Sequence, residues 1–147
     1  MRVGGVSSRP STTSLTATAV FDALDLPVSL FAEDGTYRYI NAPGLALLGK
    51  REDELVGRLY LDLFPELADH PFHAAFKRVA SGQADIERLE CFYPPMGLWS
   101  SQRIHRAEGH VIVLWENITA RKHTEQLLEE AVARAAESER LFRTMIE

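Results

Sequence analysis

The sequence predicts an α+β domain followed by a long helix. Three observations carry that prediction. Runs such as "PVSLF", "TYRYI" and "HVIVLW" are rich in β-branched and aromatic residues and are bounded by turn residues, the pattern of antiparallel strands. Between the second and third runs lie segments with helix starts and stops. The last run enters "ARKHTEQLLEEAVARAAESER" through a short polar joint, Asn117-Ile118-Thr119, with no Gly or Pro to separate strand and helix mechanically.

The elements follow in order. Residues 1–18 are rich in Ser, Thr and Gly and are expected to form a disordered tail. "AVFDAL" (19–24) reads as a lead-in helix, with Val20, Phe21 and Leu24 at helical spacing. "LPVSLFAEDGTYRYIN" reads as a hairpin closed by a two-residue Asp34-Gly35 turn, since Gly accepts positive φ at no steric cost. Asn41 caps "APGLALLG", Pro43 fits its opening turn and Gly49 ends it. "REDELVG" is a short helix with an acidic first turn and Gly57 as its stop. "RLYLDLFPEL" adds a turn broken before Pro65. "DHPFHAAFKRVASG" is the clearest middle helix: Asp69 as cap, Pro71 in the first turn, Phe72, Phe76 and Val79 as apolar stripe, Gly82 as stop. Three strands follow, "ADIERLECFY", "LWSSQRIHR" and "HVIVLWENI", with "PPMG" and "AEG" between them. "HVIVLW" is apolar on both alternating faces, so it belongs at the centre of the sheet, with helices over one face. The lead-in helix or a partner subunit would cover the other.

Composition bounds the function. A chain of 147 residues suits one domain with appendages. The net charge of −5 leaves no basic surplus for phosphates and argues against nucleic acid. Cys91 is the sole cysteine, so no intrachain disulfide can form, in keeping with a reducing cytoplasm. No apolar run reaches the roughly 18 residues of a membrane span. The N-terminus lacks the apolar segment of a secretory signal, and the expected location is the cytoplasm. Nucleophile motif, phosphate loop and metal cluster are all missing, so this segment is not expected to be an enzyme. A small isomerase or hydrolase built on a buried carboxylate would be marked by a raised pKa at Glu90.

The order of elements, with "EDGTYRYINAPGLALLG", "EDELVGR", "LFPEL" and "WENITARKHTEQ", resembles a PAS domain of bacterial signalling proteins over about residues 20–120. The matching positions are Asp34-Gly35, Asn41, Gly57-Arg58 and Asn117 to Lys122; "CFYPPMGLW" resembles the hairpin of one PAS subgroup. Asn117 stands where the family favours Asp: it keeps hydrogen-bonding capacity and lacks the charge. The resemblance implies a five-stranded antiparallel sheet in order 2-1-5-4-3 with short flanking helices, over residues 19–119. It implies a sensory or dimerising module. The effector, a histidine kinase of a two-component system or a cyclic-dinucleotide enzyme, normally lies on the same polypeptide. "ESERLFRTMIE" resembles the lead-in helix of a further PAS domain, so the chain reads as part of a longer signalling protein.

Residues 120–147 read as a helical linker. Leu128, Ala131, Ala135, Ser138, Phe142 and Met145 recur at alternating spacings of three and four, a heptad seam for a homodimer that Leu127, Val132 and Leu141 widen. Small residues make its middle weak and easily biased between registers. The alternative is an amphipathic helix packed on its own domain. Asn117, Ile118 and Thr119 form the expected signal hinge, with Thr119 as N-cap.

Cofactor readings differ in their support. A flavin photoadduct needs a cysteine near "GRLYLDLF", which has none, and Cys91 reads as a buried filler. Haem needs an axial ligand, and in haem-binding members the middle helix supplies it, which makes His73 the candidate. His70 and His73 with Glu66 could hold a metal, on a weak pattern. A small apolar ligand is the stronger candidate, in a pocket lined by Tyr39, Leu63, Phe72, Phe76, Val79, Leu89, Cys91, Trp99 and Trp115, with Arg103 or Tyr93 as polar anchor. The same residues would also serve as ordinary core. Three functions remain: a sensor acting through the coiled coil, a structural PAS domain that binds no ligand and only pairs subunits or docks neighbours, and a haem-based gas or redox sensor.

Overall fold

A computed structural model describes residues 17–146. The tail expected over 1–18 lies outside them, except that its last two residues open the first helix. The elements are α1 (Ala17–Asp22), β1 (Val28–Ala32), β2 (Tyr37–Ile40), α2 (Ala42–Leu48), α3 (Glu52–Leu55) and α4 (Tyr60–Leu63). A 3-10 turn (Pro65–Asp69), α5 (Pro71–Ala80), β3 (Ile86–Tyr93), a 3-10 turn (Pro94–Met96), β4 (Leu98–Ala107), β5 (His110–Asn117) and α6 (Thr119–Ile146) follow. The strands form one antiparallel sheet in order β2-β1-β5-β4-β3. β5, last in sequence, is central, as its two apolar faces require; Val111 and Val113 are fully buried. Among the described residues no helix is long and apolar enough to cross a membrane.

By its contacts the chain divides into two compact units, one running to Leu89 and including Gln102–Glu116, the other comprising Glu90–Ser101 and the chain from Asn117. The first is built on an aromatic cluster. Tyr60 meets Phe76, Phe72 and Phe31 with ring centroids 4.9, 5.4 and 5.7 Å apart, all edge to face. Phe31 also meets Phe76 at 5.3 Å, and Phe72 meets Trp115 at 6.3 Å. Each such pair adds about 0.5–1.5 kcal/mol beyond its buried area. The helix α5 that carries Phe72 and Phe76 is capped by His70, whose Nδ1 accepts from the Phe72 N–H at 3.2 Å, and not by Asp69 as expected.

The β1–β2 turn corrects a second expectation. Gly35 N–H donates to the Ala32 carbonyl (3.0 Å) and Ala32 N–H to the Thr36 carbonyl (2.9 Å), so three residues, 33–35, lie within the loop that this bond closes, not two. Gly35 has φ +94°, and a Cβ there would lie 2.9 Å from the Tyr60 ring. Further along, Leu30 faces Tyr39 but Phe31 faces Tyr37, which makes Arg38 the extra residue of a bulge. The bulge breaks the period-two alternation. Tyr37 is buried against Phe31, whereas Tyr39 turns to the other face, stacks on Phe21 of α1 at 6.0 Å and hydrogen-bonds Asp22. Tyr39 therefore supports the lead-in helix and does not line the space beneath α5.

Asn41 holds this unit together at the opposite end. It is fully buried. Its Oδ1 accepts from the N–H groups of Val28 (2.9 Å) and Gly44 (3.0 Å). Its Nδ2 donates to the carbonyls of Phe21 (3.0 Å) and Leu26 (2.9 Å). One side chain thus caps α2, starts β1 and holds both the end of α1 and the segment after it. Asn41→Asp keeps the acceptor but sets a second acceptor against the Phe21 and Leu26 carbonyls. Each buried polar group left unsatisfied costs about 1–3 kcal/mol, so urea unfolding is expected to show a loss of about 2–4 kcal/mol. A loss below about 0.5 kcal/mol, the scale of an ordinary surface substitution, would contradict the role assigned to this amide.

Candidate functional site

The joint between β5 and α6 is the most elaborated polar site of the second unit. Ile118 is buried, its N–H donates to the Trp99 carbonyl (2.9 Å), and its own carbonyl accepts from the Lys122 N–H (2.9 Å). It is both the last rung toward the hairpin and the cap position of the helix. Thr119 was expected as the cap and does something else. Its hydroxyl accepts from the Trp99 N–H at 3.0 Å and donates to Asn117 Oδ1 at 2.7 Å. Asn117 does the capping: the same Oδ1 accepts from the Thr119 N–H at 3.0 Å. The Trp99 backbone is therefore held on both its N–H and its carbonyl by the first residues of the exit.

Side chains close the site. The Trp99 ring meets Phe92 at 5.8 Å, and Lys122 Nζ lies 5.0 Å from its centroid. Glu90 of β3 reaches the Arg121 guanidinium with one oxygen and Lys122 Nζ (3.0 Å) with the other. Glu125 pairs with the same two cations at 3.4 and 3.6 Å. Hydrogen bonds from Arg121 and then Lys122 hold the Glu90 carboxyl below its usual range, and the bond to Glu90 raises Lys122. That is the reverse of the raised pKa a Glu90-based isomerase or hydrolase would need.

The expected pocket residues fall in both units. In the first unit Phe72, Phe76 and Trp115 join the aromatic cluster, Val79 is fully buried, Leu63 and Leu89 are half-buried, and Arg103 is exposed. In the second, Trp99 belongs to the joint, and Cys91 is buried, its thiol pushed up by desolvation. Phe31 and Tyr60 were missed. "GRLYLDLF" lacks the cysteine that a flavin photoadduct needs, and its Tyr60 supplies the centre of the cluster. His73, the haem candidate, has Nδ1 2.7 Å from the Tyr60 hydroxyl, and desolvation lowers its pKa. It borders a cleft of about 100 Å³ with Glu33, Asp34, Leu59 and Lys77. Among the described residues no three His, Cys, Asp or Glu side chains converge to hold a metal, His70, His73 and Glu66 included.

The family model for the PAS fold matches residues 21–123, and the chain belongs to that family. Several solved structures are similar. The photoactive yellow protein domain of the sensor histidine kinase Ppr from Rhodospirillum centenum is 18% identical, with TM-score 0.58, over 71% of this chain and 96% of that one. A sensory box sensor histidine kinase from Vibrio cholerae is 14% identical, with TM-score 0.56, over 78% and 98%. The PAS domain of an HTR-like protein from Haloarcula marismortui is 22% identical, with TM-score 0.51, over 79% and 100%. At these identities the likeness shows the fold. No curated protein matches the sequence.

Two outcomes test the joint. Thr119→Val keeps the shape and removes the acceptor for Trp99 N–H; it should destabilise the joint by about 1–2 kcal/mol, read as faster amide exchange at Trp99. Because the Glu90 pKa is depressed in the folded chain, its contribution is complete above the ordinary value of 4.5 and is lost as pH falls through the lower folded value. An NMR titration of the Glu90 carboxyl should have its midpoint below 4.5; a midpoint at or above that value would remove the ion pairs from the account.

Proposed function

We propose that this chain is a sensory and dimerising PAS module that passes a change of packing in its sheet through β5 to a two-chain coiled coil and on to an effector domain. The observation that carries the reading is the change of environment along α6. Its first turn is fastened to the hairpin through Trp99, whereas from His123 through Ile146 every residue is exposed. Leu128, Phe142 and Met145 are 64, 62 and 82% exposed, which suits a surface awaiting a partner.

A second copy fits that surface best. With Leu128, Ala131, Ala135, Ser138, Phe142 and Met145 as the seam, two parallel helices in register bring Leu127 to Val132, Arg134 to Glu139 and Leu141 to Ile146 across the flanks. The first and last pairings are apolar and the middle one joins opposite charges. The small residues at 131, 135 and 138 keep the seam weak and responsive. A change at its root can then repack it.

The input acts on α5 and the sheet. A small apolar ligand or a partner domain shifts the balance only by its different affinity for the two packings. The effector class is taken from the similar sensor histidine kinase structures: a kinase further along the polypeptide.

Sedimentation of the intact chain at micromolar concentration tests the pairing. A dimer is expected, and Leu128→Lys with Phe142→Lys should yield monomers whose amide spectrum over residues 28–117 is unchanged. A dimer indifferent to these substitutions would move the interface off α6, and a wild-type monomer would leave the seam without a partner.

A further inference from the structure

The first turn of α6 contains an electrostatic conflict. A helix N-terminus carries partial positive charge from its unpaired N–H groups, and it favours acids and disfavours cations. This helix of 28 residues carries Arg121 and Lys122 in its first turn and no acidic residue there. The joint ahead of it is neutral: Asn117 accepts the Thr119 N–H and hydroxyl but brings no charge. The counter-charge arrives from another element. Glu90, on β3, holds both cations, one on each carboxylate oxygen. Glu125 contributes from the next turn of the same helix, and the Trp99 ring takes a share of the Lys122 ammonium.

We propose that Glu90 is a charged clasp that holds the root of α6 on the β3–β4 hairpin, and that ionic strength adjusts how firmly the helix follows the hairpin. This rests on the joint's coupling role proposed above. Glu90 is a positioning residue, acting through Arg121 and Lys122. It does from across the hairpin what an acid at position 117 would do from within the joint.

Exposure makes this clasp adjustable. The side chains of Glu90, Arg121 and Lys122 are 40, 49 and 28% exposed, so water and salt reach the pairs. The screening length falls from about 10 Å at 0.1 M salt to about 3 Å at 1 M. The hydrogen bonds from Trp99 through Thr119 to Asn117 involve no net charge and escape this screening. The root of α6 thus has two fastenings, one constant and one that weakens with salt.

Amide exchange at Trp99, Ile118 and Lys122 of the intact chain distinguishes them, in low salt and in about 1 M sodium chloride. Glu90→Gln is isosteric and uncharged. It should speed exchange about two- to fivefold in low salt, the range of exposed ion pairs, and should abolish the salt response of the wild type. Adding Asn117→Asp should restore most of the protection, because a carboxylate there keeps both Asn117 bonds and faces the helix N-terminus. Thr119→Val should speed exchange at both salt concentrations. Unchanged exchange at Val111 and Val113 would show that the sheet is intact in each variant. If Glu90→Gln behaves as wild type while Thr119→Val does not, the clasp is rejected and the joint stands. If both are silent, the joint reading fails as well. If Asn117→Asp restores nothing, geometry and not charge holds the root, and the clasp is again rejected.

Discussion

Where β5 gives way to α6, a hairpin amide and a helix start need partners at the same place, and the Thr119 hydroxyl serves both. It accepts from Trp99 N–H and donates to Asn117, which in turn caps the Thr119 N–H. A backbone donor left unpaired there would cost about as much as a lost hydrogen bond. The helix therefore cannot move away from the hairpin without breaking these bonds or finding water for each group. These bonds fasten the root of α6 to the β3–β4 hairpin.

Asn41 plays the corresponding part where the chain enters. Its amide satisfies two donors and two acceptors, so the end of α1, the loop after it, the start of β1 and the start of α2 form one polar node. The aromatic cluster of the first unit has Tyr60 at its centre. Polar side chains thus specify the connections, and rings fill the interior. Interiors packed in this way transmit a displacement rather than absorb it, because few voids exist to take it up.

Much of the fold was legible. Turn residues and strand runs marked the sheet, and the two apolar faces of "HVIVLW" located β5 at its centre. What was lost has local causes. The bulge at Arg38 reversed the facing of Tyr39 relative to Tyr37, and period-two reading has no means of seeing an extra residue. The three-residue turn used the same Asp34-Gly35 pair that a two-residue turn would. His70 displaced Asp69 as a cap because its ring nitrogen accepts as a carboxylate does. Thr119 was legible as a residue that bonds backbone; which backbone depended on a hairpin twenty residues away. Glu90 carried a signal that went unused: it alternates with buried Cys91 on the outward face, and two cations at a helix start require an acid from somewhere.

The proposed function requires that a loosening of the aromatic cluster reach the root of α6. Native-state amide exchange on a Phe76→Leu variant addresses it most directly. The substitution disturbs the cluster far along the chain from the joint and touches none of the joint's bonds. The account predicts that Trp99, Ile118 and Lys122 amides exchange faster, together with Val111 and Val113. If Val111 and Val113 lose protection and the joint amides do not, the strand does not carry the change to the helix, and the proposed coupling is contradicted.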